Sequence, residues 1–338
     1  MPIVLVTSAS GFIAAHILNT FLDSGYNVRG TVRSIASAEH VRQSHAKYLD
    51  RLSFVIVEDI TKPGAFDEAV KDVDGVIHTQ SPFWLKVENN ERDLLIPAIQ
   101  GTIGILESIH KHNSRVKRIV ITSSFAALTD LSRGQWPEHT YSEADWNPAT
   151  YNEAKVGNGA FAYCASKSLA EKAAWDFVEK NRPSFTVSTI LPPVVYGPNV
   201  HHIRDLAHLN ESSAMFYSLM NGSRSDVPPT GFWAIVDVRD AALAHRIAYE
   251  KPEAASQRYF VTAGNFSFQQ ICDILRSEVP ELRSKVPEGN AGELLPPVYK
   301  VNNEKAQREL GIQFKPLKEI VVATAHNFLK LEKILGQL

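Results

Sequence analysis

Ile3-Val4-Leu5-Val6-Thr7-Ser8-Ala9-Ser10-Gly11-Phe12-Ile13-Ala14 is the stretch on which the reading of this chain turns. Four aliphatic residues give way to a run of small and hydroxylated ones, and Phe12 to Ser24 then carries a helical pattern. A strand, a tight turn and a helix in that order bring backbone amides to a helix N-terminus. There the unpaired N–H groups and the helix dipole favour an anion such as a pyrophosphate. A tight turn that binds nothing has the same local signature. Of the three glycines usual in such a turn, Gly11 alone stands clearly in place.

The pattern repeats outward from this unit. Strands are expected at Asn27–Val32, Phe54–Val57, Val76–Thr79, Val116–Ser123 and Phe185–Leu191. Between them lie helical stretches at Leu94–His112, with Ile96, Ile99, Ile103, Leu106 and Ile109 on one face, and at Ser166–Asn181. Alternation of this kind predicts an α/β fold, a Rossmann-type doubly wound parallel sheet with helices on both faces. After about residue 195 prolines and glycines thicken and strand signals thin. Ala234–Asp237 reads as a strand feeding a helix and Arg258–Thr262 as a late strand, both expected to rejoin the main sheet. Phe268–Glu278 and Glu304–Leu338 read as helical. Residues 1–195 plus 233–262 are therefore expected to form the nucleotide-binding domain. Residues 196–232 plus 263–338 would form a smaller, discontinuous C-terminal lobe.

The end of the second strand bears on the ligand. Dinucleotide-binding units place an acidic side chain there for the ribose of NAD, or a basic one for the 2′-phosphate of NADP. Gly30-Thr31-Val32 is followed by Arg33, and no carboxylate comes before Glu39. A guanidinium forks onto a phosphate and stacks on adenine, so NADPH/NADP+ is the expected cofactor. After the third strand, Asp59 is placed to accept from the adenine amine and Ile60 to pack on the ring.

Tyr163 and Lys167, four apart in Tyr163-Cys-Ala-Ser-Lys167, share one helical face. A nearby ammonium favours phenolate, which would bring the tyrosine down from its ordinary pKa of about 10 and make it an acid for an alkoxide. Tyr-x-x-x-Lys is common by chance, and its value here comes from company. Ile119-Val-Ile-Thr122-Ser123-Ser124 ends a strand in hydroxyls, and Ser124 at the carboxyl edge of a parallel sheet can hold a carbonyl oxygen beside the tyrosine.

With these motifs together, the chain resembles the extended short-chain dehydrogenases/reductases of the dihydroflavonol-4-reductase-like branch, in particular the fungal NADPH-dependent methylglyoxal and aldehyde reductases and ketoreductases. The likeness spans essentially the whole length. It is carried by Ser10-Gly-Phe-Ile-Ala, Val32-Arg33-Ser34, His78-Thr-Gln-Ser-Pro-Phe83, Thr122-Ser-Ser124, Trp146-Asn-Pro-Ala-Thr150, Tyr163-Cys-Ala-Ser-Lys167, Ala170-Glu-Lys-Ala-Ala-Trp175, Tyr196-Gly-Pro198 and Val236-Asp-Val-Arg-Asp240.

The resemblance implies a carbonyl (aldehyde/ketone) reductase with Ser124, Tyr163 and Lys167 as its catalytic set. Hydride would come from NADPH and the proton from Tyr163, and Lys167 would also bind the nicotinamide ribose. It implies an NADPH site lined by Thr7, Ser8, Ser10, Gly11, Phe12, Ile13, Arg33, Asp59, Ile60, Thr79, Gln80, Ser81, Thr122, Pro192, Val195 and Ser212. Apolar candidates for the substrate pocket are Phe83, Trp84, Phe125, Val194, Met215, Phe216 and Trp233. The chain departs from the family pattern at Ser8, where relatives carry glycine, and at Gln80, where they carry alanine. It departs again at Ser37, where a second basic residue is common. Two alternatives stand beside this reading: a nucleotide-sugar epimerase or dehydratase that retains its NAD, and a non-catalytic NADP-binding sensor.

Composition sets the remaining bounds. Among 338 residues, 35 basic against 37 acidic side chains leave a net charge of −2, which gives no global field for nucleic acid or an anionic membrane. Two cysteines cannot staple a secreted scaffold, and no apolar run approaches the ~18 residues of a membrane span. Met1-Pro2 lead straight into the first strand, without a basic leader. A cytoplasmic protein is expected, a monomer or homodimer acting on a small-molecule aldehyde or ketone. No metal is expected: His201, His202 and His208 read as a solvated loop, and Cys164 as core filler.

Overall fold

The computed structural model describes residues 1–80 and 87–336. Its centre is a sheet of seven strands, all paired in parallel. Counting the smaller sheets as well, the strands among the described residues are, in chain order, β1 (Ile3–Val6), β2 (Asn27–Val32), β3 (Leu52–Ile56), β4 (Gly75–His78), β5 (Arg118–Thr122), a short β6 (Thr140–Tyr141), β7 (Thr186–Leu191), β8 (Val194–Tyr196), β9 (Ala234–Asp237), β10 (Arg258–Phe260), β11 (Gly264–Asn265) and β12 (Lys300–Val301). The sheet runs β10-β7-β5-β4-β1-β2-β3. From β1 the chain builds outward to β2 and β3, then crosses back to β4 on the other side. The carboxyl ends of β1 and β4 therefore flank the switch crevice where doubly wound sheets take their ligands.

Helices α1 (Phe12–Asp23), α2 (Ile35–Ser44), α3 (Ile96–His112), α4 (Tyr151–Val156), α5 (Gly159–Asn181), α6 (Glu211–Met220), α7 (Val238–Glu250), α8 (Phe268–Glu278) and α9 (Leu317–Ile334) surround the sheet. One face is covered by α1 and α7, whose Ile17, Leu18, Phe21, Ala244 and Ala248 share a core with Val4, Val6, Val28 and Ile77. The other is covered by α3 and α5, through Ile105, Leu106, Ile109 and Ala174 against Leu5, Val76, Ile119 and Val187. A separate core lies among α6, α8 and α9, built on Phe216, Leu219, Phe266, Ile271, Leu275, Val321 and Phe328.

Four features differ from the sequence expectation. First, β10 joins the main sheet but β9 does not; it pairs in parallel with β8 and antiparallel with β11 in a three-stranded sheet. Pro192 and Pro193, which offer no N–H to a ladder, divert the chain between β7 and β8. Second, α5 begins at Gly159, capped by the Asn158 side chain accepting from the Phe161 amide at 2.9 Å, so Tyr163 lies one turn inside the helix and not at its opening. Third, the buried side of α3 runs through Ala98, Gly101, Thr102, Ile105, Leu106 and Ile109, leaving Ile96, Ile99 and Ile103 only half-buried at its flank. Small residues there let α3 and α5 approach closely. Fourth, the C-terminal helix is broken. A π-helical turn at Ala306–Leu310 stops at Gly311, whose φ of 74° is left-handed, and α9 starts after Pro316.

The turn after β1 carries backbone strain. Ser8 sits at φ 53°, in the left-handed region where a Cβ costs about 1–2 kcal/mol. The turn is held there by Ser8 N–H donating to Thr31 Oγ1 at 3.0 Å, Ala9 N–H to Thr31 O at 2.9 Å and Gly11 N–H to Ser8 O at 2.9 Å. Gly30 on β2 admits the turn, since a Cβ there would stand 2.7 Å from that of Ala9. Ser8→Gly should therefore raise Tm, and by relaxing the turn lower the Kd for NADPH about two- to fivefold. A melting scan and a titration on the single variant check this. An unchanged or lower Tm with an unchanged or weaker Kd would show that serine is accommodated without strain.

Candidate active site

The carboxyl ends of β1, β4 and β5 and the first two turns of α5 supply the candidate groups. Ser124 follows β5 in extended conformation and caps the turn Phe125–Ala127, its hydroxyl accepting from the Ala126 amide at 3.1 Å. The same hydroxyl hydrogen-bonds the Tyr163 phenol, so the structure brings these two predicted groups together. Lys167 lies one turn further along α5, its Nζ 5.5 Å from the centre of the Tyr163 ring.

The electrostatics correct one expectation. Tyr163 is 9% exposed, and burial raises its pKa above the ordinary phenol range although the Ser124 hydrogen bond opposes the rise. The lowering expected from a neighbouring ammonium is not what governs it, because Lys167 stands over the ring and the cost of burying a phenolate is larger. Lys167 is itself desolvated, which pushes its ammonium down to about 8. One cause thus acts on both groups in opposite senses and leaves the proton on the tyrosine. Cys164, between them in sequence, is fully buried with its thiol pushed up to about 12, which fits packing and not nucleophilic chemistry.

Thr7, buried at the end of β1, ties that strand to β4. Its hydroxyl meets His78 Nδ1 at 3.1 Å and accepts from the amides of Thr79 at 3.0 Å and Gln80 at 3.3 Å. Gln80 Oε1 is buried with no hydrogen-bond partner among the described residues. Arg33 is exposed, with no hydrogen bond or ion pair among the described residues, while the following Ser34 caps α2. Gly11, the N-cap of α1, has no side chain to spend on the helix amides. An uncommitted cation after β2, an orphaned acceptor after β4 and an uncapped helix between them fit a phosphorylated dinucleotide.

Other expected cofactor residues have structural attachments. Asp59 accepts from Thr61 N at 2.9 Å and Thr61 Oγ1 at 2.6 Å, which holds its carboxyl below the usual range. Ile60 packs over α3 where Gly101 leaves room. The Thr122 hydroxyl is 2.7 Å from His245 Nε2 on α7. Pro192 O accepts from the Phe125 amide, and the Ser212 hydroxyl accepts from Asn210 Nδ2. Phe12, Ile13 and Val195 pack in one cluster with Val236 and Val238.

The cofactor candidate Ser81 and the pocket candidates Phe83 and Trp84 lie outside the described residues. Phe125, 1% exposed, stacks on Phe260 with ring centres 5.0 Å apart, and Phe216, 0% exposed, packs with Tyr196 and Phe328. These two are core in this conformation, not pocket wall: aromaticity in the right region of sequence does not say which way a ring points. Trp233 is nearly buried, and Val194 and Met215 keep partial exposure. The histidine loop also differs from a solvated one. His201 packs on Phe12 at 5.8 Å with its pKa pushed by burial to about 4, whereas His202, stacked on His40 at 4.1 Å, and His208, against Asp205, are both exposed as expected.

One group was not singled out from sequence. Glu171, two turns beyond Tyr163, is buried with its carboxylate among Ser123, Thr189, Trp175 and Arg258. Its sequence signals are its place one turn after Lys167 and its membership of the run Ala170-Glu-Lys-Ala-Ala-Trp175.

Comparison with known proteins agrees with this geometry. Residues 4–263 match the family described as the NAD dependent epimerase/dehydratase family. The NADPH-dependent methylglyoxal reductase of Saccharomyces cerevisiae is 39% identical over 339 residues, covering 97% of this chain and 98% of that protein. A ketoreductase of Aspergillus niger is 41% identical over 325 residues, covering 94% and 95%. Among solved structures, the yeast methylglyoxal/isovaleraldehyde reductase complexed with NADPH superposes with a TM-score of 0.91 at 37% identity, covering 98% of this chain and 99% of that one.

Proposed function

Because this chain belongs to the NAD dependent epimerase/dehydratase family of extended short-chain dehydrogenases/reductases, we propose from its site that it reduces aldehydes or ketones with NADPH. The observation that carries the reading is the Ser124–Tyr163 hydrogen bond at the edge of the switch crevice, with Lys167 one turn away and the proton held on the phenol. NADPH, when bound, supplies the hydride. The residues we assign to hold it are the turn from Thr7 to Ile13, Arg33 for the 2′-phosphate, Asp59 and Ile60 beside adenine, and Thr79 and Gln80 after β4, with Ser81 outside the described residues. Thr122, Pro192, Val195, Ser212 and Lys167 complete the set.

Ser124 donates to the carbonyl oxygen and fixes its position beside Tyr163. Tyr163 passes its proton to that oxygen as negative charge develops there, and a phenol kept neutral by burial is loaded for the task. Lys167, as an ammonium, stabilises the phenolate that results. Val194, Met215 and Trp233 remain the apolar residues from which a pocket for a hydrophobic carbonyl compound can be built, with residues 196–232 and 263–338 as the substrate lobe.

Arg33, where an NAD-retaining epimerase would carry a carboxylate, disfavours that alternative, and the assembled Ser124–Tyr163–Lys167 set disfavours a sensor. The same reading places the enzyme in the cytoplasm as a monomer or homodimer, with no nucleic-acid partner. Its charge is near balance, and both cysteines are free and buried. No helix among the described residues is long and apolar enough to cross a membrane. The deciding assay is NADPH consumption across a panel containing methylglyoxal, isovaleraldehyde and aryl ketones. Tightly held NAD with no consumption on any of them would favour the epimerase.

Three outcomes are expected. Tyr163→Phe removes the proton donor and leaves the binding surface, so kcat should fall about 10²–10⁴-fold with the Kd for NADPH within about twofold. Retention of more than about a tenth of kcat would contradict the assignment.

Because Lys167 works as an ammonium and desolvation brings it to about 8, kcat/KM for reduction should decline as pH rises through about 8, while Tyr163 stays protonated. A profile measured over about pH 6–10 that stays flat would remove Lys167 from this role.

Arg33→Ala should weaken NADPH about ten- to hundredfold, the loss of a charge-assisted hydrogen bond, and leave NADH nearly unchanged. Equal weakening of both cofactors, measured by titration, would mean that Arg33 holds adenine or the fold and not the phosphate.

A further inference from the structure

Two successive serines leave β5 and fasten to one helix. Ser124 bonds Tyr163, and Ser123 donates to Glu171 Oε2 at 2.5 Å. Tyr163 and Glu171 are eight residues apart on α5, about two turns. Nothing in the proposed chemistry uses the second contact, and its setting is unusual: the Glu171 side chain is 1% exposed and Ser123 is 7% exposed.

The carboxylate is fully committed. Oε1 accepts from Arg258 Nε at 2.7 Å, Thr189 Oγ1 at 2.8 Å and Trp175 Nε1 at 3.3 Å. Oε2 accepts from Ser123, with Arg258 Nη2 more distant at 3.4 Å. Arg258 is anchored in turn, with its guanidinium 3.6 Å from the Trp146 ring and donating to the carbonyls of Glu143 and Asp145. Glu171 is therefore a fixed post, tied to β7, β10 and the segment before α4. Ser123, the first residue past β5, makes one more backbone bond to β7, its amide to Ile190 O at 2.8 Å, and its hydroxyl makes the contact to Glu171.

We propose that Ser123 and Glu171 are positioning residues: the hydroxyl–carboxylate contact sets where the next residue, Ser124, presents its hydroxyl to Tyr163. This rests on the carbonyl-reductase reading above. Glu171 touches neither the Tyr163 phenol nor Lys167 in any contact described, so its effect passes through Ser123 and the backbone to Ser124. If the contact served only to hold α5 to the sheet, losing Ser123 and losing Thr189 would be alike, because both donate to the same carboxylate.

The test is a double-mutant cycle in the full chain with NADPH and methylglyoxal as the probe substrate, alongside Tm and the Kd for NADPH. Ser124→Ala alone should lower kcat by about two orders of magnitude. Ser123→Ala should lower kcat about five- to thirtyfold, the size of a small misplacement, with the Kd for NADPH within about twofold. In the Ser124→Ala background the same change should cost less than about twofold, since the group it positions is gone. Thr189→Ala should lower Tm at least as much as Ser123→Ala yet keep kcat within about twofold. If Ser123→Ala does not give folded protein, Ser123→Cys, a weaker donor of similar size, enters the same cycle. An equal loss in both backgrounds, or a kcat for Thr189→Ala as low as for Ser123→Ala, would overturn the positioning role and leave the reductase reading standing. A Ser124→Ala variant at wild-type rate would instead overturn the active-site reading, and the positioning role with it.

Discussion

The Thr7 hydroxyl at the switch point is the contact on which both the fold and the crevice depend. A hydroxyl has one proton to give and two lone pairs to fill. Here the amides of Thr79 and Gln80 occupy the acceptor side, so the proton goes to His78 Nδ1. That arrangement requires His78 to be neutral with its own proton on Nε2. Burial, reinforced by the charge of Lys167, supplies the condition by pushing the ring down to about 3. A charged His78 would set two donors against each other where β1 and β4 begin to diverge. The two strand ends instead stay clamped while their continuations turn away, one into the strained turn at Ser8 and the other toward Gln80.

The same low-dielectric interior explains the protonation states of Tyr163 and Lys167. The first half of α5 is buried nearly all round, with Ala162, Tyr163, Cys164, Ala165, Ser166, Ser168, Ala170 and Glu171 all inside. Small residues allow that, because α3 presents Ala98, Gly101 and Thr102 to the same region. A helix so enclosed desolvates whatever it carries. The phenol keeps its proton, the ammonium is made easier to neutralise, and the one carboxylate is tolerated only because four donors surround it. In most enclosed helices the response would be to exclude ionisable groups altogether; here Tyr163, Lys167 and Glu171 remain beside the buried thiol of Cys164.

What could be read from sequence follows from which interactions are local. Asn27–Val32 and Phe268–Glu278 match their elements end to end, since strand composition and a Ser267–Gln270 capping box are written in adjacent residues. The proximity of Ser124, Tyr163 and Lys167 was legible because spacing along a strand end and a helix fixes most of their geometry. The sheet to which β9 belongs was not, because a four-residue run of Ala234–Asp237 pairs equally well with any edge, and the outcome was set by Pro192 and Pro193 forty residues earlier. Phe125 and Phe216 failed as pocket residues for a related reason: their partners, Phe260 and Phe328, are remote in sequence. The Glu171 network needs donors from β5, β7 and β10 at once, and no pattern in a single chain segment encodes that convergence.

The cofactor turn and the three-stranded sheet are not independent parts. Phe12, the first residue of α1, is packed with Val195 of β8, Val236 of β9 and Val238 and Ala241 of α7. His16, one turn along, is 2.7 Å from the Pro198 carbonyl, and His201 lies against Phe12. Helix α1, whose N-terminus we assign to the pyrophosphate, is thus cemented to the segment that leads into residues 196–232. A displacement of that segment cannot leave the N-terminus of α1 where it was, since close-packed side chains transmit strain and do not absorb it. The diversion forced by Pro192 and Pro193 therefore does more than remove β8 and β9 from the main sheet. It places them where their apolar faces grip α1, so that the turn after β1 and the start of residues 196–232 are positioned by one continuous piece of core.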